Sequence, residues 1–156
     1  FGTSLGMSLQ VTKNFTPMTL AAMLVGYIIG VFTIPKYLSQ HAALKYSAIL
    51  GVVLSIGILF SSGYLAIALI ILMGLANALM WPAIFPLAID GLGRFTAIAS
   101  AFLIMAIVGG AVIPPLYAYL HEKAGFSTQA AFATCSFPAY LYILYYSIRG
   151  YKAGKA

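Results

Sequence analysis

The chain has little charge. Of its 156 residues only 6% are Asp, Glu, Lys or Arg, against 63% that are hydrophobic. A soluble domain of this length would lack the polar surface that keeps it in solution. Only two residues are acidic, Asp90 and Glu122, and both stand at the ends of apolar runs. No carboxylate lies inside a run, which excludes an intramembrane proton-coupling acid from this stretch of sequence. The single cysteine, Cys135, excludes an internal disulfide and has no neighbour at metal-ligand spacing. His41 and His121 fall outside the apolar runs, without the neighbours that a metal site or a general base needs. With no nucleophile, base or metal cluster in the runs, the chain does not read as an enzyme and implies no cofactor. The formal charge of +6 comes from basic residues scattered singly rather than gathered into a patch, so nucleic acid is not read as a partner.

What the sequence does have is long apolar stretches. Charge-free runs cover residues 14–35, 46–89, 95–120 and 124–148, and a helix that crosses a bilayer needs about 20 apolar residues. The run 46–89 is long enough for two helices and is divided by Ser61, Ser62 and Gly63, a short turn signal. Five spans are predicted, at about 17–36, 45–61, 64–89, 96–120 and 128–148, and the fold class is all-α transmembrane with the lipid bilayer as solvent. Thr16 before Pro17 reads as an N-cap followed by proline at the first helical position. Thr96 and the pair Ser127-Thr128 read as comparable starts. Residues 1–16 are too polar and glycine-rich to span and read as the tail of an earlier helix with its loop. The chain begins at Phe1 with no signal peptide visible, and an odd number of spans predicts that a preceding helix is missing.

Sidedness follows from Lys and Arg. Lys36, Lys45, Arg94, Arg149, Lys152 and Lys155 fall on one side of the predicted topology, and only Lys13 and Lys123 on the other. This asymmetry places the C-terminus and the loops 37–44 and 90–95 in the cytoplasm.

The polar and helix-breaking residues inside the runs carry the functional reading. Asn77 falls near the middle of the third span, and so near the bilayer midplane, where transporters bind their substrates. Trp81 lies four residues on and shares its helical face, so an amide and a large aromatic are presented together. Such a pair suits a sugar, hydrogen-bonding its hydroxyls and packing on the apolar side of its ring. The alternative is that Asn77 bonds a neighbouring helix. Pro82 and Pro86 each remove a ladder hydrogen bond and predict a bend, either as the wall of a cavity or as a static kink for packing. Gly26 and Gly30 in GYIIG have small-xxx-small spacing for close helix approach, and Tyr27 between them is a further candidate to reach the cavity. Gly109 and Gly110 in IVGGAVIPP, followed by Pro114 and Pro115, place flexibility in mid-helix and a break in its outer half, as in a helix that changes shape during gating. Asp90 and Arg94 read as a charge pair holding a gate or as markers of the water boundary.

The stretches NALMWPAIFPLAIDGLGR and SAFLIMAIVGGAVIPPLYAYL, with SLGMSLQVTKNFTPMTLAAMLVGYIIG upstream, resemble the fucose/galactose/glucose:proton symporter branch of the major facilitator superfamily. The resemblance is spread over nearly the whole chain. It implies that the five spans are helices eight to twelve of such a transporter, making 1–156 part of its C-terminal six-helix half. It further implies a missing N-terminal half that carries protonatable acids, a monosaccharide substrate, a proton as coupling ion, alternating access, and a bacterial inner membrane as the location. Where that family usually carries a basic gating motif, this sequence has Gly30 and Pro35-Lys36-Tyr37. The reading that results is a secondary active sugar transporter with Asn77, Trp81 and Tyr27 as substrate-binding residues. Asp90, Arg94, Lys36, Pro82, Pro86, Gly109 and Gly110 are its gating or shaping residues. The alternatives are a transporter of another small polar solute and a membrane-embedded structural or assembly subunit.

Overall fold

The computed structural model describes residue 8, residues 12–34 and residues 36–152. Pro35, Lys155 and most of the segment read as the tail of an earlier helix lie outside the described residues. The described residues form seven α-helices: α1 Phe15–Thr33, α2 Gln40–Phe60, α3 Gly63–Ala78, α4 Met80–Ile89, α5 Thr96–Met105, α6 Gly109–Glu122 and α7 Thr128–Ile148. Short 3₁₀ turns at Gly93–Phe95 and Ala106–Val108 lead into α5 and α6, and another at Gly150–Lys152 follows α7.

Four helical stretches are long and apolar enough to cross a membrane: Phe15–Thr33, Gln40–Phe60, Gly63–Ile89 and Gly93–Glu122. Helix α7, with 21 residues, has the length of a fifth. The chain is an all-α transmembrane protein, as its composition predicts.

The boundaries have local causes. Gly63 adopts φ of +58°, a left-handed turn conformation that L side chains resist, so α2 and α3 are divided where Ser61-Ser62-Gly63 predicts. Ser127 caps α7 by accepting a hydrogen bond from the Ala130 backbone N–H at 3.1 Å. The start of α1 lies at Phe15, and its N-cap is Asn14 rather than Thr16. Helix α2 begins at Gln40, taking in residues that the sequence assigns to the loop 37–44, with Ser39 in extended backbone just before it.

The third span is interrupted at Leu79, between α3 and α4. Pro82 then sits in the first turn of α4, where the missing N–H is among those a helix leaves unbonded anyway. Pro86 lies inside α4, which continues past it to Ile89. In the fourth span the irregularity is the 3₁₀ turn Ala106–Val108, immediately before Gly109 and Gly110, and α6 runs on through Pro114 and Pro115.

The core is small and central. Leu44, Leu54 and Ile58 of α2, Met73 and Ala76 of α3, Met80 and Ala83 of α4 and Tyr140 of α7 pack together. Helix α2 lies against both α7 and α3, and α1 packs on the other side of α3. The α1–α3 contact is made through glycine from both helices. A Cβ on Gly26 would stand 2.6 Å from the Ala78 Cβ, one on Gly30 would meet the Leu79 side chain, and one on Gly74 would meet the Thr19 carbonyl. Gly26 and Gly30 are the buried residues of α1, as small-xxx-small packing requires.

Helices α5 and α6 are peripheral, with no buried residue in either. Phe102 and Ile104 of α5, Ile107 of the turn between them, and Val112 and Ile113 of α6 are all exposed. Apolar surface of this extent is untenable in water and suits a bilayer or a further protein surface.

Candidate functional site

Among the described residues, three polar side-chain links fasten α7 to its surroundings. Gln129 Nε2 donates to the Ser61 carbonyl at 3.2 Å, Ser55 and Ser136 share a hydrogen bond of 3.2 Å, and Tyr140 Oη donates to Asn77 Oδ1 at 2.8 Å. Helical spacing explains the last two, since Ser136 and Tyr140 are four residues apart and present their hydroxyls on one face. Within a bilayer such bonds hold helices together where apolar packing alone gives no preference. The ring of Tyr140 lies where a side chain on Gly51 would have to go. A bare backbone on α2 therefore makes room for the tyrosine whose hydroxyl reaches Asn77.

Beside this contact is a cavity of about 510 Å³, between α3–α4, α6 and α7. That size falls within the range of small-molecule sites, about 300–1,000 Å³. Its walls are mainly apolar, from Met80, Ile113, Pro114, Phe132 and Ile143, with Asn77, Tyr117, Cys135, Ser136 and Tyr140 supplying polar groups. Asn77 thus has two environments, an interhelical hydrogen bond at its carbonyl oxygen and a cavity beside it. The interhelical bond expected as the alternative for Asn77 is present, and the same side chain lines a cavity.

The other residues singled out from the sequence are distributed differently. Trp81 is exposed, with its ring tilted against Phe85 at 5.8 Å, and does not line the Asn77 cavity. Tyr27 lines a separate cavity of about 210 Å³ together with Gly30, Leu79 and Pro82. The structure therefore brings Tyr27 to Pro82 and not to Asn77. Gly109 and Gly110 have open space where a Cβ would be. Asp90 ends α4, with its N–H bonded to the Pro86 carbonyl, and Arg94 lies in the following 3₁₀ turn with its guanidinium 4.9 Å from the Phe95 ring. Lys36 is exposed beside Tyr37, its ammonium 5.2 Å from the ring centre. At the same end of the molecule as the start of α2, His41 stacks on Tyr151 at 5.4 Å. This contact puts the 37–44 region and the tail after α7 on one side, as the distribution of Lys and Arg predicts.

Tyr117, Ser136 and Tyr140 were not singled out from the sequence. A signal was present for the last two, in the spacing Phe132, Ser136, Tyr140, Ile143 that makes one face of α7. For Tyr117 there was none, because nothing local separates it from Tyr119, which is 57% exposed.

These features define an all-helical, multi-pass integral membrane protein with a cavity of small-molecule size among its helices. Over 130 residues, 83% of its length, the chain is 33% identical to a glucose/galactose transporter of Brucella abortus biovar 1, covering 31% of that protein. It is 29% identical over 150 residues, 95% of its length, to a putative glucose/galactose transporter of Helicobacter pylori strain J99, covering 37% of it. It is also 26% identical over 120 residues, 77% of its length, to an L-fucose-proton symporter of Escherichia coli K12, covering 27% of it. The chain is homologous to these transporters over most of its own length, which bears out the resemblance to the fucose/galactose/glucose:proton symporter family, and it spans about a third of the length of the relatives it matches. No family model matches the chain, and no solved structure matches it closely enough to count.

Proposed function

We propose that the chain forms part of a secondary active transporter that carries a monosaccharide across a bacterial inner membrane by alternating access, coupled to protons. In that reading the tail after α7 and the region 37–44 face the cytoplasm, and the residues that accept the coupling proton lie on other parts of the transporter. The observation that supports it most directly is Asn77, a mid-span amide tied to Tyr140 on one side and lining a cavity of ligand size on the other. The names of the relatives, two glucose/galactose transporters and an L-fucose-proton symporter, support the substrate class and the coupling ion. Asn77 donates a hydrogen bond to a sugar hydroxyl, and the apolar walls take the C–H face of the ring. The break at Leu79 and the 3₁₀ turn before Gly109 are the places where these two spans can change shape between inward and outward states.

Uptake of labelled galactose, glucose and L-fucose by cells expressing the full-length protein tests this. Saturable uptake of at least one sugar, abolished by a protonophore, is expected. Uptake no greater than in cells lacking the protein, for all three sugars, would remove the reading.

A further inference from the structure

The hydroxyl oxygen of Tyr117 is buried and has no hydrogen-bond partner among the described residues. Buried hydroxyls are nearly always bonded, so one that is not calls for an explanation. Tyr117 belongs to α6 and lines the cavity that Asn77 of α3 and Tyr140 of α7 also line. Its ring is stacked on His121 with centroids 6.1 Å apart, and that histidine is itself held by a 3.0 Å hydrogen bond between Nδ1 and the Phe126 carbonyl.

Accounting for the polar groups of the cavity shows what is left for a ligand. Tyr140 Oη donates to Asn77 Oδ1, which fixes which way the amide points and occupies its acceptor side. Ser136 Oγ donates to the Phe132 carbonyl and lies 3.2 Å from Ser55 Oγ, so it too is engaged within the protein. Apart from the weakly bonding Cys135 thiol, the uncommitted groups are the NH₂ of Asn77 and the hydroxyl of Tyr117, on different helices. The first only donates, and the second donates or accepts. Around them the walls are apolar.

We propose that Tyr117 is a ligand-binding residue whose hydroxyl, with the Asn77 NH₂ oriented by Tyr140, holds a hydroxyl-bearing ring in this cavity. The identity of the ring as a monosaccharide rests on the transport reading above, but the role of Tyr117 as an unsatisfied hydrogen-bonding position does not. Tyr140 acts here as a positioning residue through Asn77. Because α6 contributes no buried residue to the protein core, a ligand bonded to Tyr117 also ties α6 to α3 and α7.

Tyr117→Phe in the full-length protein tests the proposal, since it removes only the hydroxyl. Equilibrium binding of galactose, glucose and L-fucose is measured alongside thermal unfolding without sugar. Binding should weaken about two- to tenfold, the effect of losing one hydrogen bond, while the ligand-free protein unfolds at the same or a higher temperature. Deoxy analogues of the bound sugar sharpen the result. The analogue lacking the hydroxyl held by Tyr117 should bind the wild type more weakly than the parent sugar does, and should lose nothing further in the variant. Unchanged affinity would overturn the proposal, as would a variant that unfolds at lower temperature or fails to fold, because its hydroxyl would then have a partner within the protein. If the wild type binds none of the three sugars, the transport reading fails. The ligand-free unfolding temperature of Tyr117→Phe then decides by itself whether Tyr117 is an unsatisfied position, with an unchanged or raised temperature upholding it and a fall removing it.

Discussion

Asn77 is where an interhelical hydrogen bond and a ligand-sized cavity meet, and the two have separable energetic consequences. Replacing it with alanine removes a donor from the cavity and also strands the Tyr140 hydroxyl, whose ring packs against the bare backbone of Gly51. An unpaired buried hydroxyl costs about 1–3 kcal/mol, so Asn77→Ala should lower stability as well as weaken sugar binding about three- to tenfold. Tyr140→Phe should lower stability too, but with a smaller effect on binding, because the Asn77 NH₂ is still present and only less well oriented. A double-mutant cycle on thermal stability should give a coupling energy of about 0.6–1.7 kcal/mol between the two, the range of interhelical hydrogen bonds in membranes. Strict additivity would show that the 2.8 Å contact does not hold the helices.

The same glycine content serves different helices in different ways. In α1, Gly26 lies so close to Ala78 that a Cβ cannot be added without moving α1 away from α3. Gly26→Val should therefore destabilise by about 1–3 kcal/mol, the usual cost of overpacking. Gly109 has nothing near its Cβ position, and glycine within a helix costs about 0.5–1 kcal/mol relative to alanine. Gly109→Ala should accordingly leave thermal stability unchanged or raise it, and if the turn at Ala106–Val108 is a moving part it should slow transport while sparing sugar binding. Destabilisation by Gly109→Ala, measured on purified protein, would show that α6 is packed more closely than the structure has it. The prolines divide in a comparable way. Pro82 stands where a helix begins and fits there, whereas Pro86, Pro114 and Pro115 are carried inside helices that continue through them.

For the molecule as a whole, the distribution of Lys and Arg and the contact between His41 and Tyr151 agree on which segments share a side. The expected arrangement has Ser39 and the C-terminal tail inside the cell and Glu122 outside. With Cys135 replaced by alanine, a cysteine at Glu122 should react with an impermeant maleimide added to intact cells, and a cysteine at Ser39 should react only after lysis. The reverse pattern would invert the topology. The exposed apolar faces of α5 and α6 and of α1 make the architecture intelligible only in a non-aqueous setting. They leave a core confined to α2, α3, α4 and α7.

Taken alone, the sequence was sufficient for the membrane class, the approximate spans and the sidedness expectation, because hydrophobicity, helix-breaking residues and charge placement are local properties. The break in the third span and the turn at Gly63 were legible for the same reason, since proline and glycine act on their own backbone. The start of α2 at Gln40 was not, because the charge at Lys45 and the polar residues before it do not stop a helix from extending beyond the apolar run. Nor was the cavity. Asn77 and Tyr140 are 63 residues apart and Ser55 and Ser136 are 81 apart, and no periodicity within a single helix says which faces of different helices will meet. Trp81 shares a helical face with Asn77 on an unbroken helix, but the interruption at Leu79 lies between them, so spacing alone did not place both in one cavity. Tyr117 and Tyr119 are indistinguishable in YAYL, and only the packing of α6 beside α7 buries one hydroxyl and leaves the other ring exposed.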